Sequence, residues 1–114
     1  MTQVTFVACL CAEWCSACRT YRANFERAAR GAQGARFAWI DIEDHPEVMG
    51  DADIETFPTL LIAHRGVPVF FGAVAPHAST LAGLVDRAIR GDLVPLSGAV
   101  ATGVAARARA AAGG

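Results

Sequence analysis

The 114 residues are enough for one domain with a buried core and too few for two. A net charge of −1 leaves no basic footprint for nucleic acid or an anionic membrane surface. All four cysteines fall at positions 9, 11, 15 and 18, which excludes a scaffold of disulfides spread to tie distant loops and points to redox chemistry or a metal.

Residues 4–11 are apolar and β-branched without a charge, and read as a buried strand. From Cys15 the spacing turns helical. Cys18, Tyr21, Arg22, Phe25 and Ala29 recur at three and four residues, so Tyr21 and Phe25 face a core while Arg19, Glu26, Arg27 and Arg30 stay wet. Gly31 and Gly34 end this helix. Residues 37–42 form a second strand, with Phe37 and Trp39 on one face and Ile40 and Ile42 on the other. Asp44-His45-Pro46-Glu47 reads as the start of a short helix ending near Gly50-Asp51. Residues 59–64 make a third strand. Arg65-Gly66 is a tight turn into a fourth at 67–71, which Gly72 follows and which Pro68 assigns to an edge. Leu81, Leu84, Val85, Ala88 and Ile89 form the stripe of a last helix, with Ser79 or Thr80 near its start and Gly91 at its end.

The order β-α-β-α-β-β-α is an α/β arrangement, with a four-stranded mixed sheet flanked by helices in residues 1–91. Beyond it, 92–114 is almost only small residues and arginine. It has helix propensity but no large apolar anchor, and reads as a loosely held tail, a short docked helix being the competing view. The start of the chain has no Lys or Arg before its apolar run and so makes a poor secretory signal, and that run is too short to span a bilayer. A cytoplasmic location without membrane attachment is therefore expected.

Trp14-Cys15-Ser16-Ala17-Cys18 lies at the strand-to-helix junction. Two thiols separated by two residues can close a small disulfide ring, and a helix start stabilises a thiolate on the first. Cys15 is expected to attack a disulfide. Cys18, one turn later and more buried, is expected to resolve the mixed disulfide. Trp14 offers partners an aromatic surface. In Thr56-Phe57-Pro58-Thr59, a cis proline opening a strand would present the Phe57 backbone beside Cys15 for an extended substrate, whereas a trans proline would simply start the strand.

These segments resemble the thioredoxin family. Glu13-Trp14-Cys15-Ser16-Ala17-Cys18 is similar to that family's active-site segment except in the two intervening residues, which are more often Gly-Pro. Residues 54–62 resemble the segment holding its cis proline, with Pro58 in that place, and Gly72 resembles the glycine that flattens its docking surface. The resemblance covers about residues 4–90 and implies a thioredoxin-like fold and thiol–disulfide oxidoreductase activity through Cys15 and Cys18. Trp14, Phe57, Pro58 and Gly72 would dock the substrate. It also implies protein disulfides as substrates, a thioredoxin reductase or other dithiol donor as partner, and no organic cofactor.

Three departures stand out. The family usually begins with an extra strand and helix, so this layout is trimmed and closer in that respect to glutaredoxins, although their glutathione-carboxylate signature is not evident. The buried acid expected six residues before the first active-site cysteine is Cys9, and the accompanying lysine is Trp39. Asp41 and Glu43 remain as candidates to take the proton of Cys18.

Cys9 and Cys11, two apart on a strand, point to one face, the one that could lie beneath the motif. Small buried core residues are the plain expectation for them. An internal disulfide relay through Cys9 is one alternative. A metal- or iron–sulfur-binding protein using Cys9, Cys11, Cys15 and Cys18 is the other. His45, His64 and His77 have no spacing to the cysteines that supports a metal finger.

Overall fold

The computed structural model describes residues 4–32, 34–50, 52, 54, 57–74 and 77–113. Met1, Thr2, Gln3, Asp51 and Thr56, on which parts of the sequence reading fall, lie outside the described residues.

Four strands form one sheet: β1 (Thr5–Cys11), β2 (Ala35–Asp41), β3 (Thr59–His64) and β4 (Val67–Ala73). Their order is β2-β1-β3-β4. Helix α1 (Ser16–Gly31) connects β1 to a parallel β2, as a crossover between parallel strands requires. Strands β3 and β4 form an antiparallel hairpin over Arg65 and Gly66, whose φ values of 54° and 82° suit the turn that matches strand twist. As Pro68 predicts, β4 is an edge, and the register with β3 shifts between Ile62 and Ala63, opposite Pro68. Gly72 lies inside β4 rather than after it, paired with Leu60. The helix expected at 44–50 is only one 3-10 turn, Pro46–Val48.

Every residue of β1 is buried because both sheet faces are covered. On one face Val7, Cys9 and Cys11 pack with Cys18, Tyr21 and Phe25 of α1 and with Leu81, Val85 and Ala88 of α2 (Ala78–Ile89). On the other, Phe6, Ala8 and Leu10 pack with Ile40, Val48, Leu61 and Ala63. The split follows the strand period of two.

The second face is closed by α3 (Ala99–Ala111), in the segment read above as a tail or a docked helix. Ala101, Val104, Ala105 and Ala108 form its buried stripe. Their small side chains let the helix sit close to a sheet whose Phe6, Leu10 and Leu61 supply the apolar bulk. Arginines tie down its C-terminal half. Arg107 donates from Nε to the Val48 carbonyl at 3.2 Å, and Arg36 donates to the Ala112 carbonyl at the negative end of the helix dipole. The Arg109 guanidinium lies 5.5 Å over the Phe6 ring. Upstream, the Leu96 N–H donates to the Pro68 carbonyl at 2.8 Å and occupies part of the β4 edge.

Candidate functional site

The site begins where β1 ends. A turn follows, closed by the Cys15 N–H donating to the Ala12 carbonyl at 3.0 Å. The Cys15 carbonyl then accepts the Arg19 N–H at 3.2 Å, which makes Cys15 the N-cap of α1. Its side chain makes no capping bond, and no acidic residue stands in the first turn. Half-buried Cys15 thus stands at the positive end of the helix. Arg19 braces the turn by donating to the Glu13 carbonyl at 2.6 Å.

Phe57 and Pro58 come to the same place from the sheet. The Phe57–Pro58 peptide bond is cis. The Phe57 ring meets the Trp14 ring edge-on, with centroids 6.0 Å apart and an interplanar angle of 87°. Trp14 remains 65% exposed, so this contact leaves most of it open to a partner. The Pro58 carbonyl accepts the Val74 N–H at 3.4 Å, joining this loop to the end of β4 beside Gly72. A Cβ built on Gly72 would meet nothing within 4 Å, as at an open surface. The structure therefore brings Trp14 against Phe57, next to Pro58, and packs Cys15 and Phe57 against the same buried cluster, with Gly72 along the adjoining strand end.

Below the motif lie the other sulfurs. Cys9, Cys11 and Cys18 belong to one buried cluster. Cys18 is bonded to Cys11, with Cα atoms 5.8 Å apart, and Cys15 is a free thiol. This differs from the Cys15–Cys18 ring that the spacing suggests. Cys9 is also free, its sulfur 3.6 Å from that of Cys11. With Cys11 carrying no proton in the disulfide, Cys9 is the donor of that S–H contact. Burial pushes the Cys9 thiol up to about 12. Burial first, and then the charge Cys9 would carry, push Tyr21 up as well. The tyrosine hydroxyl is buried without a hydrogen-bond partner among the described residues.

Cys11 is the functional candidate that sequence reasoning underweighted. Its signal is local: it shares a face with Cys9 and is the last residue of β1, and its Cα lies 5.8 Å from that of Cys18 in the first turn of α1. Two of the four sulfurs are bonded to each other, and among the described residues no group of three or more His, Cys, Asp or Glu could hold a metal ion.

Trp39 and Asp41 follow β1 in register, opposite Cys9 and Cys11. Asp41 lines a cleft of about 530 Å³ together with Cys18, Arg22, Trp39, Asp44 and His45. Glu43 does not line it; its N–H donates to Asp41 Oδ1 at 2.8 Å.

A sequence profile of the family described as thioredoxin matches residues 2–86. The chain is 31% identical over 90 residues to a protein of Streptomyces coelicolor assigned as thioredoxin 2, covering 79% of this chain and 67% of that one. It is 29% identical over 56 residues to the thioredoxin of Mycoplasma genitalium, covering 49% of this chain and 55% of its relative. Its backbone is similar to that of a mutant thioredoxin from Halobacterium salinarum, with a TM-score of 0.69 at 22% identity over 82% of this chain and 80% of that one.

Proposed function

The chain belongs to the thioredoxin family and is a thiol–disulfide oxidoreductase, and on that premise we propose that Cys15 is its attacking thiol and Cys18 its resolving thiol. The observation that carries this assignment is the position of Cys15: half-buried, unbonded and at the N-terminus of α1 beside the exposed Trp14.

In the first step the Cys15 thiolate attacks one sulfur of a protein disulfide. A mixed disulfide forms and the other substrate sulfur leaves as a thiolate. In the second, Cys18 gives up its proton and attacks Cys15, forming the Cys15–Cys18 disulfide and releasing the second substrate thiol. Trp14 and Phe57 supply the aromatic wall of the docking surface. Pro58 turns the adjoining backbone toward an extended substrate, and Gly72 keeps the neighbouring strand end open. Asp41 is our candidate to accept the Cys18 proton through water, a role supported by the cleft both residues line.

We further propose a thioredoxin reductase or another dithiol as electron donor, and a cytoplasmic location, where such donors keep thiols reduced. The clustering of all four cysteines supports redox use over structural cross-linking. No helix among the described residues is long and apolar enough to cross a membrane.

Trapping tests the assignment. The Cys18→Ser protein is expected to accumulate mixed disulfides with insulin through Cys15, and the Cys15→Ser protein to accumulate none and to lose insulin reduction. Trapping by Cys15→Ser at the level of Cys18→Ser would refute the assigned roles.

A further inference from the structure

We propose that Cys11 is a third redox-active thiol and that the oxidised protein has two disulfide isomers, Cys15–Cys18 and Cys11–Cys18, interconverted at the Cys18 sulfur. The inference rests on the reading of Cys15 and Cys18 just given and extends it to a residue of β1.

Three observations support it. Cys18 is bonded to Cys11, across a Cα separation of 5.8 Å that lies in the ordinary range for disulfides. No backbone movement is needed to make that bond. Cys18 is also the residue that the short spacing to Cys15 makes available for a ring. One sulfur therefore has two partners, one at the surface and one in the core. Finally, Cys9 stands 3.6 Å from Cys11 with a proton to donate. Burial keeps that proton in place up to about pH 12, so Cys9 supplies a hydrogen bond to the Cys11 sulfur whether it is bonded or a thiolate.

The exchange is balanced within the chain. Cys11 loses its proton to solvent and its thiolate attacks Cys18 Sγ. The Cys11–Cys18 bond forms and the Cys15–Cys18 bond breaks. Cys15 Sγ departs with the electron pair as a thiolate, which takes up a proton. The number of disulfides is unchanged, so the only oxidant is the substrate disulfide that closed the first ring. The product holds the oxidation in the core, where Cys11 and Cys18 are each 1% exposed, and returns Cys15 as a lone thiol. In that form Cys15 can still join a partner in a mixed disulfide, but Cys18 cannot release it until a reductant opens the buried bond. Oxidation thereby converts a dithiol enzyme into a monothiol one.

Disulfide mapping tests this on the unmodified full-length protein. The protein is oxidised with oxidised dithiothreitol, blocked with N-ethylmaleimide and cleaved after glutamate and arginine. Cleavage after Glu13 and Arg19 puts Cys9 and Cys11 on peptide 1–13, and Cys15 and Cys18 on peptide 14–19. The expected result is a linked 1–13/14–19 pair with maleimide on Cys9 and Cys15. The link should vanish in Cys11→Ser, and it should form far more slowly in Cys15→Ser, which cannot close the first ring. Peptides that are never linked in the wild type would overturn the inference, as would a link that survives Cys11→Ser. Insulin reduction by the same wild-type preparation, assayed before blocking and with dithiothreitol present to open the buried bond, separates the two levels. Reduction without a link refutes the inference and leaves the catalytic reading intact. A link without reduction supports the Cys11–Cys18 pair and refutes the catalytic role of Cys15.

Discussion

At Cys9 the chain puts a thiol where its family resemblance implies a buried acid, and Trp39 stands opposite it in register instead of a lysine. An uncharged pair in that position removes the cost of burying ions and also removes the internal base. The Cys9 thiol keeps its proton up to about 12, against an ordinary 9.0. The sign of the pH dependence follows. Below pH 9 the thiol is protonated in folded and unfolded chains alike, and its contribution to stability is fully present. Above pH 9 the unfolded chain ionises first, so stability falls with rising pH until the folded thiol ionises too. Between pH 8 and 10 the wild type should lose about 1 kcal/mol more than Cys9→Ala, as read by urea unfolding of the oxidised proteins. Tyr21 shifts in the same direction, mainly through burial, and the smaller part of its shift that comes from the Cys9 charge is absent from Cys9→Ala. Parallel alkaline limbs for the two proteins would show that Cys9 does not hold its proton.

The strand-to-helix junction shows how much function a single element boundary carries. Cys15 owes its place to the last bonds of the turn, Cys11 to the last residue of β1, and Cys18 to the first buried position of α1. A boundary moved by one residue would point Cys11 to the opposite face, among Leu10 and Val48. At the other end of the chain, α3 serves the fold rather than the site. Its role is testable by placing a carboxylate on each of its two faces. Val104→Asp buries a charge among Phe6, Leu10 and Leu61 and should cost about 3 kcal/mol or more in urea unfolding. Ala106→Asp, on the exposed face, should stay within about 0.5 kcal/mol of wild type. Equal, small effects would mean that α3 does not pack on the sheet.

For the molecule as a whole, one sheet separates two cores with different duties. The face under α1 and α2 holds the four cysteines, and among the described residues the core under α3 contains no cysteine. Redox change is thus confined to one side, with the second core as a constant support. Closing Cys11 to Cys18, seven residues apart, restricts the unfolded chain and should make the oxidised protein more stable than the reduced one by about 2 kcal/mol. Urea midpoints measured with and without reductant check this; a reduced form of equal or greater stability would contradict it.

Much of this architecture was legible along the chain. The unbroken apolar run of β1, the three- and four-residue spacing of Tyr21 and Phe25, the Arg65-Gly66 turn and Pro68 at an edge are local signals, written in backbone preference and periodicity. The thiols of Cys15 and Cys18, separated by two residues, and the aromatic Trp14 beside them are equally local, and they pointed to disulfide exchange before any packing was known. Two matters were decided only in three dimensions. Alanines in α3 bear no apolar signature of their own, because burial of so small a side chain depends on the sheet face that receives it. The partner of Cys18 depends on how closely β1 and α1 pack, and at 5.8 Å between Cα atoms the buried Cys11 competes with a neighbour in sequence.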